Sequence, residues 1–150
     1  MLGKNLRKLP KIELHLHLDC CLSFDVVKKI NPKIDIEAYN KKFKAPSTCS
    51  SVKEYIKCAE YAVDLMQDEK SISLVVEDLF DQLKAENIIY VEIRFAPLLH
   101  CKGELSSKEV VQIVDDICKK CSKKYGIHYA LILCTLRHFS KNQSMETVQL

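Results

Sequence analysis

The chain has 150 residues, which is enough for about one domain. Hydrophobic residues make up 47% and charged residues 29%, which excludes a disordered or low-complexity chain. The net charge of +3 is too small to indicate nucleic acid or a membrane surface as a partner. No apolar run approaches the roughly 18 residues that cross a bilayer, and no apolar segment follows the basic residues Lys4, Arg7 and Lys8 as in a secretory signal. We therefore expect a cytoplasmic protein.

The cysteines are predicted to be free thiols. There are eight, at positions 20, 21, 49, 58, 101, 118, 121 and 134. In the absence of a secretory signal, a disulfide framework is not expected, and a free thiol on an apolar face packs as a small hydrophobe. Cys118 and Cys121 have CxxC spacing, but they lie in a helical pattern without a second pair, so a zinc knuckle is disfavoured.

The first element, residues 12–19, alternates between apolar and polar side chains as a β-strand does. One face carries Ile and Leu, and the other carries Glu13, His15, His17 and Asp19. A helical insert over about 23–86 follows, and Ser23 is predicted to cap its first helix.

The rest of the insert contains two clearer helices. Ser51 and Glu54 have capping-box spacing and begin a helix that extends to about Met66. The next helix has a single apolar stripe of residues at helical spacing, namely Ile72, Val75, Val76, Leu79, Phe80 and Leu83.

Two further strands are separated by one helix. The second strand, about 88–96, alternates again, with Glu92 and Arg94 on its polar face. A capping box at Ser106 begins a helix that ends near Gly126. The third strand, about 128–137, is a nearly continuous apolar run, which is typical of a strand buried on both faces. A last helix is expected to begin near Gln143.

The order of elements predicts an α/β fold with a parallel sheet, which both a doubly wound sheet and an eight-stranded barrel satisfy. A polar face on the first strand favours the barrel, because that face can then point into the lumen while the leucines face the helices.

His15 and His17 are the most informative pair. Residues i and i+2 of a strand point the same way, about 6–7 Å apart, and two imidazoles at that spacing can converge on one metal ion. The competing interpretation is an amphipathic strand whose polar face is in water. The repeated polar face at Glu92 and Arg94 favours a polar lumen over that alternative.

Other polar residues have structural interpretations. Glu92 and Arg94, together with Arg137, are expected to form ion pairs that brace the barrel rather than to act in catalysis. His100 and His138 follow strand ends, and each is expected to be a surface or capping residue more than a site residue.

Three segments resemble the adenosine deaminase family. They are LPKIELHLHLD at 9–19, IYVEIRFAP at 89–97 and LCTLRH at 133–138. Their order and separations are similar to those of the family's first three strands, and the resemblance covers nearly the whole chain.

The resemblance implies a zinc-dependent hydrolase on a TIM (β/α)8 barrel of the metal-dependent hydrolase type. His15 and His17 match the first two Zn²⁺ ligands, and Asp19 matches a residue that contacts the ribose of the nucleoside. Cys20 stands where the family usually has glycine, which alters the space beside the ligand. The implied reaction is hydrolytic deamination of adenosine or a related purine nucleoside, in purine salvage, to an inosine-type product and ammonia.

The chain is expected to be the N-terminal portion of one barrel domain, because such a barrel needs about 250 residues and two ligands are too few for catalytic zinc. The remaining catalytic residues are expected beyond residue 150. Tyr55, Leu65 and Met66 are candidate lid residues over the base. The alternatives are another barrel metal-dependent amidohydrolase and a non-catalytic fragment of the family.

Overall fold

A computed structural model of the chain describes Leu6 and residues 8–150; Lys4 and Arg7 of the basic N-terminus lie outside these residues. The elements in chain order are β1 (Lys11–His17), α1 (Phe24–Ile30), α2 (Ile36–Phe43), α3 (Val52–Leu65), α4 (Glu69–Ala85), β2 (Ile88–Phe95), α5 (Ser107–Tyr125), β3 (His128–Leu133) and α6 (Lys141–Val148). Two short 3₁₀ turns, Leu18–Cys20 and Pro97–His100, follow β1 and β2. None of the helices described is long and apolar enough to cross a membrane.

The three strands form one parallel sheet in the order β1-β2-β3. Lys11 lies beside Ile88 and His17 beside Arg94, with two irregularities of register between these pairs. The β2–β3 register is regular from Tyr90 onward. Since all three strands are parallel, their carboxyl ends lie at one edge of the sheet, where both 3₁₀ turns begin.

The core lies between the sheet and the helices α4 and α5. The predicted stripe of α4 is buried in full, and Phe80 at its centre is 0% exposed. Val91, Ile93 and Phe95 of β2 are buried on the same side, at 0 to 1% exposure. Alternation in β2 therefore places its apolar residues against α4 and leaves Glu92 and Arg94 on the opposite face.

The helix ends follow from local sequence, as predicted. Ser106 and Glu109 form a reciprocal capping box at the start of α5. Gly126 ends that helix with φ of 69°, a left-handed conformation that glycine adopts without a Cβ penalty. At the start of α3, the Ser51 hydroxyl accepts a hydrogen bond from the Glu54 backbone amide. The Glu54 carboxylate accepts hydrogen bonds from the backbone amide and hydroxyl of Ser50 instead of Ser51.

Two strands were predicted to extend further than they do. β1 ends at His17, and Asp19 lies in the 3₁₀ turn, because Leu18 turns into the core, where it is 0% exposed. β3 ends at Leu133 rather than near residue 137. His128 is exposed and the other residues of β3 are half-buried rather than buried on both faces, because β3 is an edge strand of the sheet.

Candidate metal centre

His15 and His17 share one face of β1, as the alternation predicted. Their ring centroids are 5.3 Å apart and their planes are tilted by 34°. Both side chains are exposed. Glu13, two residues earlier, accepts a hydrogen bond from the His15 backbone amide at 3.0 Å. The two rings therefore lie side by side on the polar face of the sheet, near its carboxyl edge.

The spacing of the two rings fits a shared metal ion. An imidazole nitrogen binds Zn²⁺ at about 2.0–2.1 Å, so the ring centroid lies about 3 Å from the ion and two rings at a tetrahedral angle are about 5 Å apart. The 5.3 Å separation of His15 and His17 agrees with that distance. Among the described residues, however, no group of three His, Cys, Asp or Glu side chains could hold a metal. Two imidazoles alone are fewer than the three protein ligands that a catalytic zinc site uses.

Asp19 is buried next to this pair. It is 7% exposed, and its Oδ1 lies 3.9 Å from Nδ1 of His17. The Cys20 thiol donates to the same Oδ1 at 3.7 Å. Burial, followed by the charge of Asp19, raises the pKa of the Cys20 thiol to about 12. A carboxylate has about four acceptor positions, so Asp19 can still accept hydrogen bonds from the hydroxyl groups of a ligand.

The ion pairs predicted for Glu92 and Arg94 do not form among the described residues, so that prediction is wrong there. Glu92 accepts instead from the Tyr90 hydroxyl at 3.2 Å. Arg94 extends towards β1, where Nη2 approaches the Leu14 carbonyl at 3.5 Å, and its buried Nε has no hydrogen-bond partner in the described part of the chain. The two groups are on one face but turn to different neighbours. Arg137 is exposed and lies after the end of β3.

The other two histidine candidates lie in different surroundings. His138 is exposed and contacts the ring of Phe139. His100 is 1% exposed, and its Nδ1 lies 3.0 Å from the carbonyl oxygen of Met66. His100 is thus a capping residue, one of the two roles expected. Its partner, Met66, is 34 residues earlier, so the local sequence could not predict this contact.

The lid candidates separate by burial. Tyr55 is 60% exposed on the first half of α3, beside exposed Val52 and Ile56. Met66 is 1% exposed, so its prediction as a lid residue is wrong: the side chain packs into the core where α3 ends. Leu65 is half-buried against the core.

The eight cysteines are free, as predicted. Cys118 is 0% exposed and Cys121 5% exposed, and both belong to the hydrophobic core. Burial raises the pKa of both thiols, which keeps them protonated and unreactive at neutral pH.

Two solved structures share the fold. An amidohydrolase from Burkholderia ambifaria with bound Zn has a TM-score of 0.79 and 15% identity, over 96% of this chain and 40% of that one. An Arabidopsis protein in complex with IMP has a TM-score of 0.78 and 21% identity, over 97% of this chain and 46% of that one. The fold is therefore that of the first three β/α units of a (β/α)8 barrel.

The family is defined by sequence. The profile of the adenosine deaminase family matches residues 10–150, so the chain belongs to the adenosine deaminase family. It is 36% identical to an adenosine deaminase from Clostridium perfringens over 152 aligned positions, which are 97% of this chain. The chain spans 46% of the length of that relative.

Proposed function

We propose that this chain supplies two zinc ligands and one nucleoside contact to a purine nucleoside deaminase. The 5.3 Å separation of the His15 and His17 rings carries the proposal, because it suits two ligands of one ion. The Clostridium perfringens relative named adenosine deaminase supports the reaction. The Zn bound to the Burkholderia ambifaria amidohydrolase supports the metal, and the IMP bound to the Arabidopsis protein supports a purine ligand.

His15 and His17 would act as neutral imidazoles whose lone pairs hold the ion. When bound, zinc lowers the pKa of a water ligand towards 7 and so supplies hydroxide at neutral pH. Asp19 lies beside His17 with free acceptor capacity, so it would accept hydrogen bonds from ribose hydroxyls. Tyr55 projects from α3 into solvent and is the candidate lid residue over the base.

The overall reaction is hydrolysis. The C6–O bond of the purine forms, the bond from C6 to the amino nitrogen breaks, and adenosine and water become inosine and ammonia. The remaining ligands and the proton-transfer groups would come from the part of the barrel beyond residue 150. In this proposal residues 1–150 are the N-terminal part of one cytoplasmic barrel enzyme.

The test is turnover by the full-length protein loaded with zinc. We expect the ultraviolet absorbance of adenosine to decline while ammonia is released in equal amount. Hydrolysis of a cyclic amide or ester in place of adenosine would contradict the deaminase assignment and favour another amidohydrolase reaction. No turnover of any of these substrates would favour the non-catalytic alternative.

A further inference from the structure

The carboxyl end of α3 is tied to the loop that follows β2. The ring of His100 is buried, and its Nδ1 lies 3.0 Å from the carbonyl oxygen of Met66, the C-cap residue directly after the helix. Because a carbonyl oxygen can only accept, Nδ1 carries the hydrogen. His100 therefore satisfies one of the carbonyl groups that a helix leaves unpaired in its last turn.

Gln67 makes a second connection in the same place. Its Nε2 donates to the carbonyl oxygens of Val63 at 2.6 Å and Leu99 at 3.0 Å. Its Oε1 accepts the backbone amide of Lys102 at 2.9 Å. One side chain thus bridges the last turn of α3 and two positions of the loop. Helix and loop cannot slide far past each other without loss of the two hydrogen bonds to Leu99 and Lys102.

The loop also approaches the helix closely. A Cβ built on Gly103 would lie 2.7 Å from the Gln67 carbonyl oxygen, closer than non-bonded atoms approach, so only glycine fits without displacement. The Lys102 side chain adds an ion pair of 2.5 Å to Asp64, although both groups are largely exposed. We call His100, Gln67 and Gly103 the α3 clamp.

The clamped helix contacts the turn that contains Asp19 and carries the candidate lid residue. α3 packs against the turn Leu18–Cys20, which contains Asp19. In its first half it carries Tyr55, which is exposed. Displacement of the fixed end would shift both the support of Asp19 and the position of Tyr55, while His15 and His17 remain held in the sheet.

We propose that His100 and Gln67 are positioning residues that fix α3 against the Asp19 turn and so set nucleoside affinity without touching the ligand. The effect on affinity rests on the proposed function, whereas the effect on α3 itself does not. The proposed metal ligands lie on β1, outside the clamp, so loss of the clamp should weaken nucleoside binding and leave the chemical step unchanged.

The test compares variants of the full-length enzyme in two measurements. His100→Phe keeps a ring but removes the donor, and Gln67→Met keeps the length of the side chain but removes its bonds. His100→Asn places an amide donor where Nδ1 was. Lys102→Met is the matched control, because it removes only the exposed ion pair and leaves the backbone amide bonded to Gln67.

Amide hydrogen exchange of residues 52–67 reports the clamp, and the KM and kcat for adenosine report its effect on the reaction. We expect His100→Phe and Gln67→Met to exchange faster and to raise KM about tenfold, the effect of one lost buried hydrogen bond, with kcat within about twofold of wild type. His100→Asn and Lys102→Met should behave as wild type in both.

Wild-type exchange and KM in His100→Phe and Gln67→Met would overturn the inference, as would a His100→Asn variant as impaired as His100→Phe. A loss confined to kcat would also overturn it. Failure of the proposed function is distinguishable, since wild-type protein would then turn over no adenosine. If wild-type protein turned over no adenosine, faster exchange in His100→Phe and Gln67→Met alone would still support the clamp. Only the proposed effect on nucleoside affinity would then be overturned.

Discussion

Oδ1 of Asp19 lies 3.9 Å from Nδ1 of His17, although Asp19 is in the turn beyond the strand that carries His17. The 3₁₀ turn keeps the carboxylate close to the imidazole while Leu18, between them, enters the core. A candidate metal ligand and a candidate substrate contact are thereby adjacent at the carboxyl edge of the sheet, where the active sites of (β/α)8 barrels form.

Replacement of Asp19 should affect the nucleoside more than the metal. In Asp19→Ala we expect adenosine affinity to fall about tenfold or more, the value of hydrogen bonds to a charged group, because the acceptors for ribose hydroxyls are lost. Bound zinc should be retained. Calorimetric titration and metal analysis of the same sample check this prediction, and loss of zinc without loss of nucleoside affinity would contradict it.

The buried stripe of α4 should dominate stability, whereas the exposed face of α3 should not. Phe80→Ala removes a ring that is 0% exposed, and it should lower the free energy of unfolding by about 3–5 kcal/mol. Tyr55→Ala, at 60% exposure, should change it by less than about 0.5 kcal/mol but raise the KM for adenosine. Denaturant unfolding and steady-state kinetics measure the two effects. A large stability loss in Tyr55→Ala would contradict the lid assignment.

His100 should make stability depend on pH. Burial lowers the pKa of His100, against smaller opposing effects of the Met66 carbonyl and Asp19. Below about pH 6.5, the ordinary pKa of histidine, the imidazole of His100 therefore binds a proton more readily in the unfolded chain than in the folded protein. The free energy of unfolding should fall as the pH is lowered from 7 to 5, by at most about 1.4 kcal/mol per pH unit from this group.

His100→Asn keeps the donor to Met66 but cannot titrate, so it is the control for that pH dependence. Denaturant unfolding at several pH values should give a shallower decline in the variant than in the wild-type protein. Identical slopes in the two proteins would assign the pH dependence to other groups.

Cys20 should react slowly with alkylating agents. Since its pKa is raised to about 12, the thiolate fraction at pH 8 is small. We expect alkylation by iodoacetamide to be more than about tenfold slower than that of a free thiol, whose pKa is about 8.5. Asp19→Asn removes the neighbouring charge and should speed the reaction. Peptide mass spectrometry measures both rates, and equal rates in the two proteins would show that the carboxylate does not act on this thiol.

Local patterns predicted much of this fold because local chemistry determines it. The capping box at Ser106, the left-handed Gly126 and the stripe around Phe80 each depend on residues within a few turns of one another. The pairing of His15 with His17 is equally local, since strand geometry alone places the two rings on one face.

The features missed from sequence depend on distant partners. The hydrogen bonds that join His100 and Gln67 across the helix and the loop are to residues more than thirty positions away, so neither residue has a periodic or spacing signal for them. The strand alternation could not show that Leu18 would turn into the core and end β1 early. Ile12 and Leu14 were expected to face helices, yet they are 61% and 56% exposed, because no described helix covers that end of the edge strand.

The most direct test of the account is the zinc content of full-length His15→Ala and His17→Ala variants, with His138→Ala as a control at an exposed histidine near the same edge. Plasma mass spectrometry should find about one zinc per chain in the wild-type protein and the control, as a single catalytic site requires. Each of the two β1 variants should lose the metal and adenosine turnover together. Full zinc occupancy with activity within a few-fold of wild type in either variant would contradict the account.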